Sequence, residues 1–271
     1  NFSIGAYFRK IRRKNKTLVV PYLCWNIIIT GVYLIMQLII PAMGSGRIPL
    51  VWTWGLNDWI RAFWEPIDGP LWYIRDLFIS MLLSPLVYIV VRKTGAFSIL
   101  CVVILYIVGA TEIEAIKPVK LWSIYFFTIG AYLGINNVNL SEKANRYKFI
   151  NIIPIIYLVL SLINLKMWDK HLFAFNIIIG MVSVYIVVNK IIIKRGEFIN
   201  RSLIDSNFFI YAYHVMFCNF LIKVLLKVHF LNYIEIYLIV PFIALAVGYT
   251  LFMMCKRVSP QFLSLLTGGR Y

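Results

Sequence analysis

The chain has 271 residues, of which 61% are hydrophobic and 14% charged, with a mean hydropathy of +0.81. That balance excludes a soluble domain, because a body of this size cannot hide so much apolar surface. The net charge of +16 invites a nucleic-acid partner, but the cations sit in short clusters between apolar runs, which is the pattern of a membrane protein and not of a nucleic-acid binder.

A membrane helix needs about 20 mostly apolar residues. Eight stretches qualify in chain order: Thr17–Ile40, Leu71–Val91, Ala96–Ala110, Leu121–Leu133, Phe149–Leu165, Leu172–Val188, Asn207–Val228 and Ile236–Met254. The third and fourth are short and borrow flanking residues. Pro21 falls in the first turn of the first span, where its missing N–H is harmless. Pro85 is expected to kink the second. The fold class is therefore all-α, a polytopic transmembrane bundle of about eight spans forming one domain.

Orientation follows from the cations. Arg9, Lys10, Arg12, Arg13, Lys14 and Lys16 precede the first span, and the even-numbered loops hold Arg92, Lys93, Lys148, Lys190, Lys194 and Arg201. Putting that side in the cytoplasm collects nearly all the excess positive charge there. Both ends of the chain are then cytoplasmic and the protein is multi-pass in the plasma membrane. The opposite side receives the loop Pro41–Pro70, with Trp52, Trp54, Trp59, Trp64, Asp58, Glu65 and Asp68.

That loop runs into Gly69–Ile79, where Arg75 and Asp76 lie about one turn inside a span. Ionisable groups cost roughly 2.5–3.5 kcal/mol each at the centre of a membrane helix and less near its ends. A charged helix start behind a tryptophan-rich mouth reads as a site, with Trp64, Trp72 and Asp68 placed to hold a ligand. It reads equally as a helix end with a snorkelling arginine and an aromatic belt. Adjacent residues diverge by about 100° on a helix, so Arg75 and Asp76 are expected to meet different partners, Arg75 pairing with Asp68 or Glu65.

Of the three histidines, His171 and His229 fall in outer loops, where a solvated role is expected. His214 lies inside the seventh span and must face the bundle interior or a polar cavity. It is either a functional group or a structural one bonded to Tyr211 or a backbone carbonyl. Arg75, Asp76 and His214 are expected to line one hydrated cavity through the bundle, Arg75 from its outer end and His214 from nearer the cytoplasm. Gly130 and Gly134 form a GxxxG that suggests helix packing. Cys24, Cys101, Cys218 and Cys255 have no metal-ligand spacing, so no metal site is expected.

Four segments resemble the membrane acyltransferase 3 family. They are Tyr7–Tyr22 with its basic run and Pro-Tyr start, Gly69–Phe78 (GPLWYIRDLF), Phe126–Gly134 (FFTIGAYLG) and Phe208–His214 (FFIYAYH). They occur in the family's order and cover the chain. The resemblance implies a bacterial inner-membrane O-acyltransferase that moves an acyl group, usually acetyl, from cytoplasmic acyl-CoA to a glycan acceptor, with membrane lipid as its other partner and no nucleic acid. It implies His214, Arg75 and Asp76 as catalytic candidates and Arg12, Arg13 and Lys14 as a grip on the CoA phosphates. The bland reading of those cations is an anchor or anionic-lipid patch. The family usually has ten spans with a catalytic histidine on the first. Eight spans and a first residue Asn1 lead to the expectation that two spans precede this segment. The alternative function is a carrier or flippase for a lipid-linked glycan, for which internal repeats would be the expected sign.

Overall fold

The computed structural model describes residues 3–39, 50–109, 121–146, 148–195, 200–228 and 231–270. The expected span ends at Ile40 and Ala110, and His229, lie outside them. Twelve helices are present among the described residues: α1 (Ile4–Ile39), α2 (Leu56–Trp64), α3 (Trp72–Leu82), α4 (Ser84–Thr94), α5 (Phe97–Val108), α6 (Leu121–Ile135), α7 (Leu140–Arg146), α8 (Ile153–Met167), α9 (Lys170–Arg195), α10 (Arg201–Val228), α11 (Tyr233–Val258) and α12 (Pro260–Thr267).

Among the described residues, five stretches are long and apolar enough to cross a membrane: α1, Ile150–Met167 (which takes in α8), α9, α10 and α11. The pair α3–α4 makes a sixth if it is counted as one span interrupted at Leu83, and Pro85, which cannot donate a helical hydrogen bond, accounts for the break. The two short predicted spans correspond to α5 and α6, with 12 and 15 residues. All eight predicted stretches thus fall on helices, and the alternation of loops comes from the sequence.

The chain divides into two compact units, Asn1–Ile79 with Ile199–Tyr271, and Ser80–Phe198. In the second unit α8 and α9 form a hairpin. Trp168 turns it in the left-handed region at φ 54°, and the Asp169 carboxylate accepts from the Leu172 N–H at 2.6 Å. Gly180 lets the Tyr157 ring lie so close that a Cβ there would sit 2.7 Å from it. Asn176 donates to Ser161 across the hairpin at 2.9 Å, the kind of interhelical polar contact that holds helices together where lipid supplies no hydrophobic drive. Leu158, Leu162 and Leu165 on α8 are all exposed, as expected of a helix that faces hydrocarbon.

The first unit holds the larger core: Leu18, Tyr22, Trp25 and Ile29 of α1, Leu71 and Ile74 around the start of α3, Phe209, Ile210, Ala212 and Tyr213 of α10, Phe252 of α11, and Leu263 and Leu266 of α12. Helix α11 starts at Asn232, whose side chain accepts from the Ile234 and Glu235 N–H groups while Glu235 accepts from the Asn232 N–H, a capping box. Its buried residues, Ile236, Val240, Ala244, Gly248 and Phe252, repeat every fourth position and make one stripe. Tyr213 of α10 lies over Gly248 and donates its hydroxyl to the Ala244 carbonyl. By contrast, a Cβ at Gly130 or Gly134 would meet nothing within 4 Å. The expected GxxxG packing has no counterpart among the described residues, and the close helix–helix approaches belong to Gly248 and Gly180.

Helix α1 contains a π turn, Asn15–Val19. Pro21 therefore stands inside a continuous helix and not at its start. Its nitrogen cannot donate to the carbonyl four residues back, that of Thr17, and that oxygen accepts from Arg270 Nη2 at 2.7 Å. The tail that brings Arg270 there is set by α12: Trp25 Nε1 donates to the Leu266 carbonyl at 3.0 Å, and Gly268, at φ 65°, ends the helix against the backbone of Thr17. A side chain at position 268 would collide with that backbone, so glycine is required there twice over, for its conformation and for its size.

Candidate active site

Every candidate outside the basic segment falls in the first unit, around the turn that joins α2 to α3. Asp58 starts α2 by accepting from the Gly55 N–H at 2.9 Å. The end of α2 is tied down twice. Tyr22 of α1 donates to the Phe63 carbonyl at 2.6 Å, and Arg75 donates to the Trp64 carbonyl. The Arg75 guanidinium also lies 5.5 Å from the centre of the Trp64 ring, a cation–π contact. Trp64 remains 43% exposed, so the indole keeps free surface while its backbone is fixed.

Arg75 and Asp76 do not part company. Arg75 Nη2 and Nε lie 2.7 and 2.8 Å from Asp76 Oδ1, and the Asp76 side chain is fully buried. The expectation of separate partners fails because it considered only where the two Cβ atoms point. The long arginine side chain folds back along the helix and reaches its neighbour. Nor does Arg75 pair with Glu65, which pairs with Arg61 at 3.1 Å. A buried carboxylate is very costly alone, so Asp76 holds Arg75 and, through it, the carbonyl and ring of Trp64. Trp72, on the first turn of α3, meets Tyr73 edge-on with centroids 6.0 Å apart.

Asp68, Tyr211 and His214 form a second cluster. Tyr211 donates its hydroxyl to the Pro70 carbonyl, which joins α10 to the turn before α3. His214 Nδ1 lies 2.8 Å from the Tyr211 carbonyl. A carbonyl only accepts, so Nδ1 carries the proton and Nε2 is left as the basic nitrogen. Asp68 is 3% exposed, and its Oδ2 is buried without a hydrogen-bond partner. Burial pushes its pKa up to about 6, opposed by the nearby His214. Tyr33 of α1 and Tyr211 also lie within electrostatic reach of it. The structure therefore sorts the predicted residues into Arg75–Asp76–Trp64 on one hand and Asp68–His214 on the other. Tyr22, which ties down the end of α2, was visible in the sequence only as part of the Pro-Tyr start, whereas Tyr211 was expected beside His214 and meets it through its backbone carbonyl.

His171 is not simply solvated. Its Nδ1 lies 2.7 Å from the Ile107 carbonyl within the second unit, so it ties α9 to the end of α5. Arg12 and Arg13 are exposed at the end of the first α-helical segment of α1 and Lys14 is half-buried beside them.

Helices of this length and apolarity, carrying a buried ion pair and a half-buried histidine, define a polytopic membrane protein with a polar site built at one helix junction. The family model for the acyltransferase domain matches residues 1–254, and the chain belongs to that family, acyltransferase 3. It is an acyltransferase for groups other than aminoacyl, and this membership displaces the carrier alternative. Over 277 aligned residues the chain is 22% identical to the succinoglycan biosynthesis protein ExoH of Rhizobium meliloti (strain 1021), an alignment covering 97% of this chain and 73% of that protein. No solved structure gives a significant match.

Proposed function

We propose that the protein transfers an acyl group, acetyl in the simplest case, from cytoplasmic acyl-CoA to a hydroxyl of a cell-surface polysaccharide, acting in the plasma membrane with both ends of this chain cytoplasmic. The likeness to a succinoglycan biosynthesis protein supports the acceptor class, and the clustering of cations on alternate loops supports the orientation.

The observation that carries the chemistry is the state of His214. With Nδ1–H donated to the Tyr211 carbonyl, Nε2 can take up, directly or from the histidine that the family carries on its first span, the proton of a sugar hydroxyl as its oxygen attacks the thioester carbonyl. Collapse of the tetrahedral intermediate breaks the C–S bond, and the proton on Nε2 passes to the leaving thiolate. The product is the O-acyl sugar and free CoA. Asp68 beside it steadies the imidazolium that forms. Trp64 and Trp72 offer aromatic faces to the apolar side of a sugar ring. The Arg75–Asp76 pair fixes Trp64 and serves the acceptor through it. Arg12, Arg13 and Lys14 hold the CoA phosphates, with arginine supplying bidentate contacts.

The test is acyl transfer from labelled acyl-CoA to extracted polysaccharide in membranes carrying the protein. His214→Ala is expected to lower the rate by about 10²-fold or more with the protein level and its melting temperature retained. Undiminished transfer by a folded variant would remove His214 from the chemistry.

A further inference from the structure

Where the π turn of α1 meets the tail after α12, cations converge and none of them is ion-paired among the described residues. Lys14 lies within electrostatic reach of Lys10, Arg13 and Arg270. The two ion pairs among the described residues, Arg61–Glu65 and Arg75–Asp76, involve none of the four. Like charges held together are unfavourable unless an anion joins them. The tail does not bring Arg270 there loosely. Its guanidinium donates to the Thr17 carbonyl at 2.7 Å and lies 4.3 Å from the centre of the Phe208 ring. One N–H of five is committed to the backbone, so the remaining donors of a pre-oriented planar fork are left for a ligand. Beside it the Thr17 hydroxyl is buried with no partner, a cost that a water or ligand oxygen would relieve.

We propose that Lys10, Arg13, Lys14 and Arg270 form one phosphate-binding site whose second wall is the tail after α12, and that its ligand is the pyrophosphate or ribose phosphate of the coenzyme A donor. The identity of the ligand rests on the acyl-CoA reading above, whereas the site itself does not. The family model stops at residue 254, so the wall supplied by α12 and Arg270 lies outside the region it describes. The cations of α1 alone would make a patch on one helix face. The tail adds to that patch a cation from a second element, held by Thr17 and Phe208, which suits a group that carries several phosphate oxygens.

The experiment measures coenzyme A binding to the purified protein in nanodiscs, made of phosphatidylcholine alone or with phosphatidylglycerol. Arg270→Gln should weaken coenzyme A about tenfold, the size of one charge-assisted hydrogen bond. Arg270→Lys should restore part of the loss. In turnover the KM for acyl-CoA should rise while kcat holds. Dephospho-coenzyme A, which lacks the ribose phosphate, reports which phosphate the site grips. Lys10→Gln, an exposed position outside the packing of the tail, covers the case in which Arg270→Gln disturbs folding, and should also weaken binding. Unchanged coenzyme A affinity in folded Arg270→Gln and Lys10→Gln overturns the inference. If Arg12→Gln, which lies outside the four, weakens binding in the same series, the donor reading survives that failure. Losses confined to phosphatidylglycerol discs overturn the assignment to the donor and give the site to a lipid headgroup.

Discussion

Asp68 shows how a residue can be located by sequence while its surroundings stay hidden. The loop position and the neighbouring tryptophans made it a binding candidate. Only the fold buries it and brings His214 and Tyr211 within electrostatic reach of it. Burial pushes its carboxyl up from 3.8 to about 6. A carboxyl whose folded-state pKa is raised favours the protonated form. Its contribution to folding therefore turns unfavourable as pH rises above the unfolded value and is worst above about 6. Asp68→Asn removes that penalty. The variant is expected to melt no higher than the parent at about pH 3 and clearly higher at about pH 8, followed by thermal unfolding in detergent. An equal shift at both pH values would show that Asp68 carries no excess proton. The same substitution should lower acyl transfer, because the imidazolium loses its partner.

At the scale of the helix, small residues were the weakest part of the sequence reading. Gly130 and Gly134 carried the recognisable spacing, yet both face open space. Gly248 carried no motif, but it belongs to a four-residue buried repeat that the sequence displays, Ile236, Val240, Ala244, Gly248, Phe252. What hid it is that all faces of a membrane helix are apolar, so hydropathy does not single out the packed one. A Cβ at Gly248 would lie 2.6 Å from the Tyr213 ring and 2.9 Å from Ile210 Cγ1, and Tyr213 is held by its bond to Ala244. Gly248→Ala is expected to destabilise by about 1–3 kcal/mol, the cost of overpacking. Gly130→Ala should be neutral or slightly stabilising, since alanine is the better helix former. Melting temperatures of the two variants in one detergent decide the matter, and equal effects would contradict the packing described here. Pro21 gives the converse lesson. Its helix-start signature was real, but the π turn lets the helix begin 17 residues earlier, at Ile4.

Across the whole molecule, apolar run length made the all-α membrane class and the positions of the helices legible before any coordinates. It could not tell which helices touch. The division at Ile79 and Ile199 cuts across the order of the spans, because contact between membrane helices depends on a few polar and small residues at their faces. The orientation rests on charge and has its own test. Reporters fused after Lys93 or Lys148 should lie in the cytoplasm, and those after Asp68 or Lys170 outside. Two or more reversed reporters would break that arrangement.

The clasp between the tail and the first helix bears on how the protein is made. Trp25 finds its acceptor 241 residues further on, and Thr17 its donor 253 residues further on. Ribosomes add roughly 5–20 residues each second, so the indole and the carbonyl wait for many seconds after the first helix is synthesised. During that interval they must be served by water, lipid headgroups or an insertion factor. Emergence of α12 and Arg270 from the ribosome is what allows the clasp to close. A message cut short before α12 would yield a protein already threaded through the bilayer but still open at its first helix, a natural mark for membrane quality-control proteases.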